Sequence, residues 1–183
     1  MKLEDLLKQK GPHLQKRWLD LIIETYPDDS HRFFKEQKDR FANPVGSTLS
    51  REVESLYHEL LHGMDPERLN SSLDAIARIR AIQEFTPAKA MGFIFLLKKV
   101  LRQEFDQEIK ESPAAFQEML TLESRVDEMA LRGFDLYMKC REQVYEIRAR
   151  EAKALVSRLL QKAGLLCEIP SWDSDPKKDD IVL

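Results

Sequence analysis

Two histidines four positions apart, with a glutamate directly after the first, stand at His58-Glu59-Leu60-Leu61-His62. On a helix this spacing puts both imidazoles on one face, where they can hold zinc while the glutamate serves as base. Glu84, 22 residues beyond His62, has the chemistry of a third ligand. The setting argues against a hydrolase. His62 abuts Gly63, a helix-ending residue, and no alternating strand stands nearby to hold an extended peptide. A histidine in a last turn also suits the negative end of the helix dipole without any metal. No metal is therefore expected, and a zinc metallohydrolase on residues 58–62 is kept only as an alternative.

Other chemistries fare worse. Haem needs an axial ligand on an apolar helix face, and none of His13, His31, His58 and His62 sits inside an apolar stripe. Phe33, Phe93, Phe95 and neighbouring leucines are expected to fill such a pocket instead, so no cofactor is assigned. A di-iron centre needs two Glu-x-x-His motifs, and only Glu59-Leu60-Leu61-His62 is at hand. Cys140 and Cys167 show no CxxC spacing, and Cys140 reads as packing rather than as a sensing thiol. There is neither a phosphate loop nor GxSxG, so the chain is read as non-enzymatic. Arg80 and Gln83 differ from these. They lie one turn apart just before Thr86-Pro87, where such side chains either brace a helix end through its free carbonyls or read a ligand. Both readings stay open, and a small-molecule ligand is possible.

The elements that position these residues are helical almost throughout. A short helix is expected over 2–10, and Gly11-Pro12 opens a second carrying Leu14, Trp18, Leu21 and Ile22. Ser30 is placed to cap a short helix with Phe33 and Phe34. After the turn at Asn43-Pro44, Leu49, Val53, Leu56, Tyr57 and Leu60 form one stripe that Gly63 ends in the left-handed conformation. Asp65-Pro66 and Thr86-Pro87 repeat a cap-then-proline start. The helix after Pro87 carries Ala90, Phe93, Ile94, Leu97, Val100, Leu101 and Phe105.

Ser112-Pro113 starts the longest helix, with no strong stop before Gly164. Phe116, Met119, Val126, Ala130, Gly133, Tyr137, Cys140, Val144, Ile147 and Ala154 fit steps of three and four, with Glu123 and Glu151 at the two gaps. A 3.5-residue repeat held this long favours a partner helix. Val126 to Ile147 are therefore expected to form the seam of a homodimer, with 141–163 projecting or pairing with another chain. The expected organisation is one helical domain over 1–163 and an extended acidic tail over 164–183.

Net charge is −3. The stretch 168–183 holds five acids and two lysines, which leaves the rest formally neutral. No basic face speaks for nucleic acid. The longest apolar run, Met91 to Leu97, is far short of the ~20 residues that span a bilayer. Lack of a signal segment and the cysteine pattern suit the cytoplasm. Trp172, Ile181, Val182 and Leu183 are the apolar anchors with which the tail would dock.

Two blocks carry a family resemblance: Phe41-Ala42-Asn43-Pro44 with the helix ending Leu60-Leu61-His62-Gly63-Met64-Asp65, and Arg78 to Pro87 (RIRAIQEFTP) with Gly92-Phe93-Ile94. Together they resemble the N-terminal sensor domain of the RsbT co-antagonist family, the RsbR-like proteins of bacterial stressosomes, over roughly residues 1–150. The resemblance implies a globin-like all-α bundle without haem, a dimer, and a long C-terminal helix that in the family leads into a phosphorylatable STAS domain. No STAS domain follows Gly164 here, so a free-standing form is expected, of the kind found near sulfite-reductase operons of sulfate reducers. The function expected is a non-enzymatic regulatory module working through dimerisation and an unidentified protein partner. The alternative is an adaptor whose tail docks on a cytoplasmic or membrane-associated complex, possibly one of sulfur redox.

Overall fold

Four prolines, each preceded by a residue that can cap, punctuate the chain, and each opens a helix. The computed structural model describes residues 2–27, 34, 42–83 and 85–165. Among the described residues every regular element is a helix: α1 (Leu3–Gln9), α2 (Gly11–Ile23), α3 (Pro44–His62), α4 (Pro66–Ile82), α5 (Pro87–Met91), α6 (Phe93–Glu104), α7 (Asp106–Glu111) and α8 (Pro113–Lys162). The side chains of Asn43, Asp65 and Thr86 accept from the backbone N–H three residues on, and Ser112 Oγ accepts from Ala115 N. Each thereby satisfies a donor that the helix start leaves free. Gly63 ends α3 at φ 117°, a conformation that only glycine adopts without strain. The helix expected from Pro87 to Phe105 is interrupted at Gly92, which gives α5 and α6. The helix expected around Phe33 lies outside the described residues, apart from Phe34.

The chain divides into two compact units, Met1–Val144 and Tyr145–Leu183. In the first unit α3 packs on α4, and α2 packs on both α6 and α3. One apolar cluster runs through it, with Trp18, Ile22, Leu56, Leu60, Leu73, Ile94, Leu97 and Val126 closed to solvent. Burying such side chains contributes ~1.5–3 kcal/mol each. Two buried hydrogen bonds fix its register: Trp18 Nε1 donates to Phe93 O at 2.8 Å, and Tyr57 Oη donates to Leu7 O at 2.9 Å. The architecture is all-α with a long C-terminal helix and is compatible with a globin-like fold.

The long helix departs from the sequence expectation in what covers it. Val126, Ala130, Gly133, Tyr137 and Cys140 are buried within their own unit. Gly133 is what allows the approach: a Cβ there would stand 3.0 Å from Ile94 Cδ1 and 3.1 Å from Met91 Sδ. Val144 is half-buried and Ile147 exposed. The first five already serve the intramolecular core. Glu123 fills its gap in the stripe by pairing with Arg102. Phe95 and Phe116, expected inside, are about half exposed. In the second unit nearly every described side chain of α8 faces solvent.

Candidate functional site

The turn between α4 and α5 collects the chain's most unusual side chain. Arg80, in the last turn of α4, is fully buried. Its Nη1 donates to Lys89 O (3.0 Å) and Ala90 O (3.3 Å), and its Nη2 donates to Thr25 Oγ1 (3.0 Å). Its Nε has no hydrogen-bond partner. The guanidinium lies 4.9–5.2 Å from the ring centroids of Phe93, Phe85 and Tyr26, within cation–π range. No described carboxylate forms an ion pair with it. Burial pushes its pKa below the ordinary arginine value, opposed by Tyr26, but a guanidinium stays charged in any protein. Burial likewise pushes the Tyr26 phenol up, and Arg80 opposes that shift.

Above this cation lies a cleft of about 670 Å³, lined by Thr25, Tyr26, Pro27, Gln83, Phe85, Thr86 and Lys89. Four of these residues (Thr25, Tyr26, Phe85 and Lys89) are also among those that enclose Arg80. Of the three residues singled out from sequence, Arg80 braces the turn, Thr86 caps α5 by accepting from Lys89 N, and Gln83 faces the cleft.

The same turn is gripped from its other side by α8. Tyr137 Oη donates to Phe85 O, and Arg141 Nη1 donates to Ala81 O at 2.9 Å. One further arginine of α8, Arg125, donates to Leu60 O near the end of α3 at 3.0 Å. Cationic donors at helix C-termini satisfy free carbonyls and oppose the negative end of the dipole. Sequence reasoning missed Tyr137 and Arg141 as partners of this turn. Tyr137 stood on the apolar stripe, and a hydroxyl at such a position must find an acceptor; that was the available signal.

The histidine pair assembles differently from a zinc site. The His58 and His62 rings stack with centroids 4.1 Å apart, and His62 Nδ1 bonds His58 O at 2.8 Å. Glu59 is buried, with its Oε1 3.4 Å from His58 Nδ1 and 3.7 Å from Arg68 Nη1. Its Oε2 accepts from Asp65 N at 3.1 Å, so it closes the α3–α4 turn. Among the described residues no group of three His, Cys, Asp or Glu is placed to hold a metal ion; Glu84 lies outside them. His13 is also exposed. Cys140 is buried with its Sγ 3.7 Å from Asp74 Oδ1. Burial and then that carboxylate push its pKa up, the reverse of a reactive thiol. Trp172, Ile181, Val182 and Leu183 lie outside the described residues.

Comparison with known proteins gives one finding. The sequence model of the family described as "RsbT co-antagonist protein rsbRD N-terminal domain" matches residues 12–152. No curated protein and no solved structure matches the chain.

Proposed function

The chain belongs to the RsbRD N-terminal domain family, and from that membership we propose a non-enzymatic, cytoplasmic sensory module that acts by changing how α8 is presented to a second copy and to a protein partner. The family places the chain among regulatory sensor domains of bacterial signalling. The observation that carries the finer reading is that α8 bears two apolar stripes. The inner one is filled by its own unit. The outer one leaves Leu131, Phe134 and Met138 exposed at steps of three and four, Leu131 by 70 %. In the sequence an apolar residue recurs every seven positions from Leu131 through Met138, Tyr145 and Ala152 to Leu159. That period suits a helix partner, and a second copy offers the same stripe.

A switch of this kind needs a stimulus with unequal affinity for two arrangements of α8. The grip of Tyr137 and Arg141 on the α4–α5 turn supplies the mechanical link, since a change in the turn alters two polar contacts of α8 directly. No helix among the described residues is long and apolar enough to cross a membrane.

The test is sedimentation of the wild-type chain and of Leu131→Asp/Met138→Asp at micromolar concentration, with circular dichroism to check the helices. A wild-type dimer and a folded, monomeric variant are expected. A wild-type monomer, or a variant that stays dimeric, removes the outer stripe from the mechanism.

A further inference from the structure

We propose that His58 and His62 form a two-imidazole site, on the last turns of α3, for a borderline transition dication such as zinc. Such a site is independent of the dimer. The tautomers of the two rings point to it. His62 Nδ1 lies 2.8 Å from His58 O, and a carbonyl only accepts, so the proton sits on Nδ1. His58 Nδ1 lies 3.4 Å from Glu59 Oε1, and an ionised carboxylate also only accepts. Both rings therefore present Nε2 as a lone pair, the form in which neutral imidazole binds metals. A carbonyl or carboxylate on the second ring nitrogen is the support that metal-bound histidines ordinarily have. Glu59 is itself fixed: it is buried, and its Oε2 accepts from Asp65 N at 3.1 Å. The glutamate that a hydrolase would use as base thus anchors a ligand here.

The rings stack with centroids 4.1 Å apart and planes 15° from parallel. Two nitrogens bound at ~2.0–2.1 Å to one tetrahedral or square-planar ion stand ~3–3.4 Å apart. Both side chains are exposed, so a small tilt of the rings closes that difference. A catalytic zinc takes three protein ligands and a structural one four. Two ligands leave the other positions to water or a solute, in a cleft of about 610 Å³ that both histidines line. Three cations also line it, each beside a carboxylate. Lys8 is 2.7 Å from Glu4, Arg51 is 2.6 Å from Glu52, and Arg68 is 3.7 Å from Glu59. Glu54 lines the cleft as well, one turn before His58 on α3. A dication therefore does not meet uncompensated lysine or arginine charge. Imidazole suits zinc, copper and nickel, whereas hard cations such as magnesium take oxygen ligands.

The test is long-range proton–nitrogen NMR of the imidazole rings in the metal-free full chain, titrated with zinc chloride at roughly pH 7.5, a unit above the unperturbed histidine value. Cys167→Ser removes a competing thiol. Before zinc is added, His58 and His62 are both expected to carry the proton on Nδ1. Zinc is expected to move their two Nε2 resonances together and saturably, with Kd of about 0.1 mM or tighter, and to leave His13 and His31 unmoved. His58→Gln and His62→Gln, both at exposed positions, should each weaken zinc about tenfold or more, because either leaves a single imidazole. Magnesium should move none of these resonances. A proton on Nε2 of either ring overturns the proposal. So does zinc spread evenly over all four histidines, which is an adventitious ion only. A single variant that binds zinc as tightly as wild type removes the chelate, and magnesium moving the same resonances assigns the ion to Glu54; each overturns the site.

Discussion

Arg80 and Glu59 are both buried, and each finds backbone partners beside its side-chain ones, Thr25 for Arg80 and His58 with Arg68 for Glu59. Arg80 serves two carbonyls at the end of α5, and Glu59 serves the N–H of Asp65. Such hydrogen bonds to a charged group contribute ~1.5–3 kcal/mol, and leaving the charge without them costs more than their net worth. Two other glutamates behave as ordinary ion pairs. Arg102 holds the Glu123 carboxyl below the usual range through a direct hydrogen bond, and Lys10 does the same for Glu104, with His13 and Arg17 assisting. A carboxyl whose folded pKa is depressed contributes stability above its unfolded value, ~4.3 for glutamate, and loses that contribution as pH falls through the lower folded value. Urea midpoints are therefore expected to fall as pH is lowered from 5 towards 3. Glu123→Gln should be less stable than wild type at pH 6 and should converge on it at pH 3. A variant that stays equally far below wild type at both values would show that Glu123 acts by packing, not by charge.

Among the elements, α8 shows what a sequence does and does not disclose. The starts were legible because the signal is local: Asn43, Asp65, Thr86 and Ser112 each precede a proline, and each caps. The stripe from Val126 to Cys140 was legible as a covered face. Its cover was not, since a period of three and four looks the same against a neighbouring helix of one chain or of another. Gly133, which lets Ile94 and Met91 come close, was the residue that pointed inward. Of the candidate site, Arg80, Gln83 and Thr86 were readable from their place before a break. The enclosure of Arg80 by Thr25 and Phe93 was not, since it joins positions far apart in sequence. The same holds for the grip of Tyr137 on Phe85 O. Removing that hydroxyl by Tyr137→Phe should cost ~1 kcal/mol in urea unfolding, because a part-buried carbonyl loses its donor. Arg141→Met should cost a similar amount. Since both hold one turn, the double variant should deviate from the sum by ~0.5 kcal/mol or more. Strict additivity would show two independent staples and would weaken the link from turn to helix.

At the scale of the whole molecule, the core and the outer stripe make separable contributions. The apolar cluster extends from Leu3 to Cys140 and lies wholly within Met1–Val144. Tyr145, Ile147, Leu155, Val156 and Leu159 bury little within their own unit, so they contribute little to the stability of a single copy. If they serve a second copy, their contribution depends on concentration, because association stabilises the folded state by mass action. A chain ended after Val144 should then melt, at low concentration, within about 4 °C of the full chain, the shift that ~1 kcal/mol makes in a protein of this size. Raising the concentration should lift the melting temperature of the full chain and leave that of the shortened chain almost fixed. A shortened chain that melts far lower at every concentration would assign 145–162 to the fold itself. A full chain indifferent to concentration would leave its exposed apolar residues to a partner of another kind, and α8 would then carry the signal from the Arg80 turn outward without pairing to itself.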